Sequence, residues 1–263
     1  MPDPRPTSSA DRQAALAFLR RDPFGNAALI AHLLHTRPLD LAVTHGPDGA
    51  ITGVLLIEPL LESAGSNHLV RLDAIDVAVL PALLARLDQE KQVRLEAHRP
   101  WAREYFFRAT GWRSTGVSLY TFGLHPSVPL PSPDPGLVRL TNQHVGALGT
   151  HPLGWAPSTL RTYLREGRRA VAIERDGQLV ARAVTGLPTA QTEEITSVYT
   201  APALRGQGLG KAIAAALAAD IRTWGRIPLY VTTADNEASQ RVARGLGFRL
   251  LTTAHVYERE ARN

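Results

Sequence analysis

Three glycines in five positions, Gly206, Gly208 and Gly210, restrict what this chain can become more than any other feature. A β-branched run, EEITSVYTAP (193–202), precedes them, and an alanine-rich run, LGKAIAAALAADIRTWG (209–225), follows. β-branched residues suit a strand and alanines a helix, so the glycines are read as a strand-to-helix loop. Such a loop aims several free N–H groups, and the positive end of the helix dipole, at one point. Bare backbones let an anion come close and permit φ > 0. The predicted guest is a phosphate or pyrophosphate. The dipole supplies only about 0.3–2 kcal/mol, so directed N–H bonds and Arg205 must supply the rest.

Composition narrows the classes. The 263 residues suffice for one large domain or two of about 130, and 44% are hydrophobic. No apolar run is long enough to span a membrane. The first residues, MPDPRPTSSADRQ, lack an apolar signal core, so a cytoplasmic protein is expected. Cysteine is absent, which excludes disulfides, thiolate nucleophiles, iron–sulfur clusters and cysteine-based zinc sites. The net charge is +5 and the isoelectric point about 9.9. The arginines are scattered, without basic blocks interleaved with aromatics, which disfavours nucleic acid as a partner. A small polyanion accounts for the surplus equally well.

One segment breaks the chain. HPSVPLPSPDPG (125–136) holds five prolines and reads as a semi-rigid linker, so the expected domains are 1–125 and 136–263, joined by 126–135. The halves resemble each other. HRPWAREYFFRATGW in the first matches DNEASQRVARGLGF in the second, and VTHGPDGAITGVLLIE matches AIERDGQLVARAVTGL, a strand–Asp-Gly–strand hairpin. The first half has no counterpart of the glycine loop. A tandem repeat with a degenerate first copy is the resulting expectation.

In the second half, two strands flank Asp176-Gly177 and a third precedes the glycines. A helix then places Leu209, Ile213, Leu217, Ile221 and Trp224 on one face. IPLYVTT is a further strand. NEASQRVARGL is a helix capped by Asp235 or Asn236, and AHVYERE closes the sheet. The class is α/β, with a mixed, largely antiparallel sheet flanked by helices.

Two phosphate motifs fail. A P-loop would need glycine at Arg205 and Ser or Thr at Ala212, and a dinucleotide fingerprint would need glycine at Lys211. The spacing that fits is Arg-x-x-Gly-x-Gly, here Arg205, Gly208 and Gly210. With VYTAPALRG before it and NEASQRVARGLGF after it, residues 193–258 resemble the GNAT superfamily of acyl-CoA N-acyltransferases. The resemblance implies two GNAT-like domains, with acetyl-CoA as co-substrate of the second and no metal. It implies that Arg205, Gly206, Gln207, Gly208, Leu209, Gly210 and Lys211 cradle the pyrophosphate. Val198, Tyr199 and Thr200 would pair with the pantetheine arm as an added strand, near Asn236.

The implied reaction is attack of an amine on the thioester carbonyl. At pH 7 only about one in 10³ lysine-like amines is the free base, so a carboxylate base is expected. Glu194 is the first choice, on a face shared with Thr196, Val198 and Thr200; Glu193 is the reserve. The N–H of Val198 would stabilise the oxyanion. Many relatives carry a general-acid tyrosine on the second helix. That place is Ala243 here and Phe107 in the first half, leaving Ser239, Tyr199, Tyr257 or a water to protonate the thiolate. A non-catalytic acyl-CoA-binding module is therefore the alternative. Gly208→Val is expected to abolish coenzyme A binding with the fold intact.

His32 and His35 share a helix face without a third metal ligand. His144, His151 and Trp155 fall where the resemblance places the acceptor pocket. The acceptor is not readable. An amino acid, polyamine, antibiotic or protein N-terminus all fit, with a small molecule favoured. Oligomeric state, a homodimer included, is equally unreadable.

Overall fold

The computed structural model describes residues 9–35, 40–59, 68–87, 92–146 and 156–259, which form two compact units. Unit 1 comprises Met1–Leu119 together with Thr252–Asn263, and unit 2 comprises Tyr120–Leu251.

Unit 1 begins with helices α1 (Ser9–Leu19) and α2 (Ala27–His35). There follow β1 (Asp40–His45), β2 (Ile51–Pro59), β3 (His68–Ala74), α3 (Leu80–Leu84), β4 (Val93–Ala97) and α4 (Pro100–Arg108). The β1–β2 hairpin turns at Gly49 with φ +79°, and β3 runs parallel to β4. Where unit 2 carries its glycines, unit 1 has a short 3-10 turn capped by Asp76 and then a proline in the first turn of α3. Strand β5 (Arg113–Gly123) starts in this unit and ends in the next.

Unit 2 contains β6 (Leu137–Arg139), α5 (Pro157–Arg165), β7 (Ala170–Arg175), β8 (Gln178–Thr185) and β9 (Thr192–Thr200). It continues with α6 (Leu209–Thr223), β10 (Ile227–Thr233), α7 (Glu237–Gly245) and the start of β11 (Arg249–Arg259). Strands β6 to β9 are successive antiparallel neighbours, and β10 joins β9 in parallel. The hairpin turn at Asp176-Gly177 has φ +50° and +73°, as its Asp-Gly pair predicts.

The boundaries depart from those expected at 125 and 136. From Thr252 onward β11 belongs to unit 1, where Val256 pairs with Glu96 and Arg259 with Val93 on β4. Unit 2 in turn owns Tyr120–Gly123 of β5. The proline-rich segment is not a free tether. Arg222 donates to the carbonyls of His125 and Val128, each at 2.7 Å, and Val128 packs on the unit 2 core.

Helix α6 buries Leu209, Ile213, Leu217 and Ile221 in that core, each contributing roughly 1.5–3 kcal/mol. Trp224 does not join them. It caps the helix, 66% exposed, under the guanidinium groups of Arg169 and Arg226. Among the described residues no helix is long and apolar enough to cross a membrane.

Candidate functional site

Strands β9 and β10 pair only where Thr192–Ile195 faces Ile227–Tyr230. Past that point β9 follows β8, and between it and α7 opens a cleft of about 630 Å³. Its walls are Val198, Tyr199 and Thr200, the loop residues 204–206 and 208–211, and α7 with Asn236 and Ser239; Tyr230 also lines it. Every expected cofactor residue except Gln207 therefore borders one cavity.

The glycines divide by role. Gly206 and Gly208 have φ +82° and +81°, a conformation that costs an L side chain about 1–2 kcal/mol. Gly208 is the N-cap of α6, so no side chain caps the first-turn amides, and residues 208–211 line the cleft. A Cβ on Gly210 would stand 3.6 Å from Thr200 Oγ1 and from Val242, an ordinary contact. Its bareness keeps space open and is not needed for backbone geometry. Valine at Gly208 would be strained at the helix start, so that substitution carries a stability cost as well. Arg205 folds back to donate from Nε to the Thr200 carbonyl at 3.2 Å.

Strand β9 does not alternate regularly. Thr196 opposes Val184 and Tyr199 opposes Arg182, so Ser197 and Val198 share a single opposite residue. Ser197 has φ +53°, uncommon for a non-glycine residue. This β-bulge shifts the phase of the strand by one. Val198 and Thr200 face α6, where they approach Gly210. Glu194 and Thr196 fall on the other face, with Arg182, Val184 and Tyr199. The expected common face of Glu194 with Val198 and Thr200 is thus wrong, because the period of two breaks at Ser197.

The two glutamates differ sharply. Glu193 is 3% exposed and ion-paired with Arg169 and Arg226, the latter at 3.1 Å. Glu194 is half-buried, and its backbone carbonyl accepts from Gly186 N at 2.8 Å. A Cβ on Gly186 would stand 3.2 Å from Glu194 Cβ and 3.4 Å from Oε2, so that glycine makes room for the side chain.

On α7, Asn236 is the cap: its Oδ1 accepts from Ser239 N at 3.0 Å. Ser239 Oγ bonds to Tyr230 Oη at 2.9 Å. Tyr230 is 1% exposed, and burial raises its pKa although the Ser239 bond partly opposes this. Sequence reasoning read Tyr230 only as part of a strand and missed it. The sequence offered no signal beyond a hydroxyl-bearing aromatic in IPLYVTT, because the end of the pairing is set by β9. Ala243 is fully buried. Tyr257 lies in the core of unit 1, stacked on Phe106 at 4.6 Å, and Phe107 is 89% exposed.

His32 pairs with Glu58 at 2.5 Å, and His144 receives the Thr141 amide in a capping box. His151 and Trp155 lie outside the described residues. Among the described residues no cluster suited to a metal ion occurs. In unit 1 the parallel pair β3–β4 ends at Arg71 and Glu96. Beyond it Arg99 makes bonds of 2.7 and 2.9 Å to Asp73 and 3.0 Å to Asp22, bridging the two strand ends.

Comparison with known proteins agrees with this geometry. The model of the FR47-like protein family matches residues 174–257. No curated protein sequence matches the chain. A Novosphingobium aromaticivorans protein assigned to the GNAT acetyltransferases is 25% identical over 73% of this chain and 84% of its own, with a TM-score of 0.51. A GCN5-related N-acetyltransferase from Sphaerobacter thermophilus is 15% identical, with a TM-score of 0.69 over 99% of this chain and 95% of its own. A tandem GNAT protein from the clavulanic acid biosynthesis pathway is 16% identical, with a TM-score of 0.66 over 99% and 98%. From the parted strands to the glycine-led helix, and along nearly its whole length, the chain has the fold of the GNAT superfamily.

Proposed function

We propose that the protein is a tandem GNAT N-acetyltransferase that carries an acetyl group from acetyl-CoA to a primary amine of a small molecule. The observation that carries this reading is the cleft where β9 leaves β10, closed at one end by the glycine-led N-terminus of α6. The pyrophosphate would lie on the amides of residues 206–211, with Arg205 and Lys211 beside it. The pantetheine would run along Val198–Thr200 as an added strand, reaching toward Tyr230.

The acceptor amine would approach from the opposite face, where Glu194 stands. Glu194 takes the ammonium proton, directly or through water, and exposes the lone pair that attacks the carbonyl. Glu193, already held by two arginines, drops out as the reserve base. The Val198 N–H steadies the oxyanion. As the C–S bond breaks, the nitrogen gives up its second proton to water, and the thiolate takes one from the Tyr230–Ser239 pair, which water reprotonates. Unit 1, bridged where unit 2 is open, is read as the copy without cofactor. A cytoplasmic setting suits a consumer of acetyl-CoA.

Buried Ala243, in the place of the usual tyrosine, favours a second reading, an acyl-CoA-binding module without turnover. Calorimetric titration with acetyl-CoA, coenzyme A and ATP, followed by an amine panel, tests both. One acetyl-CoA per chain with turnover is expected. Binding without turnover selects the second reading, and no binding removes both.

A further inference from the structure

Arg182 has an unusual placement for a guanidinium. It sits in the middle of β8, 8% exposed, on the face shared with Glu194 and Thr196. Its Nη1 donates to the carbonyl oxygen of Ser197 at 2.7 Å. Its guanidinium carbon lies 5.2 Å over the ring of Tyr199, the residue opposite it in the ladder. Burial pulls its pKa down to about 10, against the smaller opposing influence of Tyr163 and Tyr199, so the group stays charged at neutral pH. A charge kept this dry is costly to hold, and what it visibly holds is the bulge.

The geometry of the bulge gives that bond a consequence. The Ser197 carbonyl and the Val198 N–H belong to one planar trans peptide, so they point in opposite directions. Fixing the oxygen on Arg182 fixes the N–H pointing away from Arg182. A bulge residue at φ +53° is not held there by steric preference, so an external anchor decides the peptide's orientation. The N–H concerned is the oxyanion donor of the proposed reaction.

We infer that Arg182 is a positioning residue, whose hydrogen bond to the Ser197 carbonyl orients the bulge peptide so that the Val198 N–H meets the thioester oxygen. The inference rests on the acyl-transfer reading and assigns to it a residue outside the cofactor cleft. It also explains why the strand changes phase where it does: the bulge puts the base on one face and Val198 and Thr200 on the other, with the reacting carbonyl at the crossing.

The test uses the full chain with Arg182→Met, which removes the donor, and Arg182→Lys and Arg182→Gln, which keep one. Three quantities are read: acetyl-CoA affinity by calorimetry, kcat with the best amine of a panel, and amide exchange of the peptide spanning 195–200. Loss of one oxyanion donor predicts a fall in kcat of about 10²-fold in Arg182→Met. Acetyl-CoA affinity should stay within about threefold while exchange at 195–200 quickens. Lysine and glutamine should recover part of kcat. They also carry the test if the methionine variant fails to fold. Unchanged kcat, unchanged exchange, or equal losses of affinity and kcat in every folded variant would overturn the inference. A wild-type protein that binds acetyl-CoA but acetylates no amine would overturn the acyl-transfer reading itself, a result distinct from any of these.

Discussion

Tyr230 Oη and Ser239 Oγ are 2.9 Å apart, a hydrogen bond that links β10 to α7 in the lining of the cleft. Tyr230 is the last β10 residue paired with β9, so its ring stands where the strands begin to part. The hydroxyl pair thus lines the cavity that the pantetheine would enter. Ala243 is fully buried and has no proton to give, so in the proposed reaction the Tyr230–Ser239 pair would be the donor.

Replacing Tyr230 with Phe should therefore lower kcat by at least tenfold, within the range of about 10²–10⁴ that a positioned acid can supply. Ser239→Ala should cost less, because the tyrosine keeps its own proton. Burial raises the Tyr230 pKa above its usual value of 10.0, so the hydroxyl remains protonated throughout the neutral range. The kcat profile should show no loss of this acid below pH about 10. Steady-state kinetics beside acetyl-CoA calorimetry decide the matter: a fall in affinity that matches the fall in kcat would make the pair purely structural.

Glu194→Gln should reduce kcat/KM for the amine by about 10²–10⁴-fold at pH 7 while leaving acetyl-CoA binding unchanged. The loss should shrink as pH rises toward the amine pKa near 10.4, where the free base no longer depends on the carboxylate. Gly186→Ala should act in the same direction and more weakly, because its Cβ would crowd Glu194 at 3.2–3.4 Å. A pH–rate series of the three proteins checks this, and a glutamine variant as fast as wild type would remove Glu194 from the chemistry.

The local signals in the sequence carried far. Asp176-Gly177 specified a hairpin, the three glycines a strand-to-helix loop, and Asp235-Asn236 a helix cap, because each depends on a few neighbouring residues. What was not legible depends on partners distant in the chain. The bulge at Ser197 arises from pairing with β8 and is secured by Arg182, and nothing in the run TEEITSVYT announces a break in its alternation. The passage of β11 from Thr252 into the first unit is likewise a matter of ladder partners. Glu193 could stand as a reserve base only until its ion pairs with Arg169 and Arg226, distant in the chain, were seen. Tyr230 was hidden by its strand, which accounts for an aromatic residue without asking where its hydroxyl goes.

Gly208→Ala should lower stability by about 1–2 kcal/mol, because φ +81° is costly for a residue with a Cβ. Gly210→Ala should leave stability nearly unchanged, since its Cβ has 3.6 Å to its nearest neighbours. If the loop holds the pyrophosphate, Gly210→Ala should still weaken coenzyme A binding, because the added carbon enters the cleft. Denaturant midpoints and calorimetry on both variants separate the backbone requirement from the spatial one. Equal stability losses at both glycines would contradict the assignment.

The bridge in unit 1 predicts how acid unfolds this protein. Asp73 is completely buried; burial alone would raise its pKa, but hydrogen bonds from Arg99 and Asn26 hold it below the usual value. A carboxyl depressed in the folded state adds stability above its unfolded pKa and loses it as pH falls through the folded one. That contribution should be intact above pH about 4 and disappear below it. His98, which burial holds below its ordinary pKa, adds a separate decline that begins as pH falls past about 6.5. Asp73→Asn leaves Arg99 without its two-bond partner and should cost about 3 kcal/mol at pH 7. It should also flatten the dependence of Tm on pH below about 4. Thermal unfolding from pH 3 to 7 distinguishes the outcomes, and a variant whose Tm falls as steeply in acid as that of wild type would show that Asp73 is not the group whose protonation loosens unit 1.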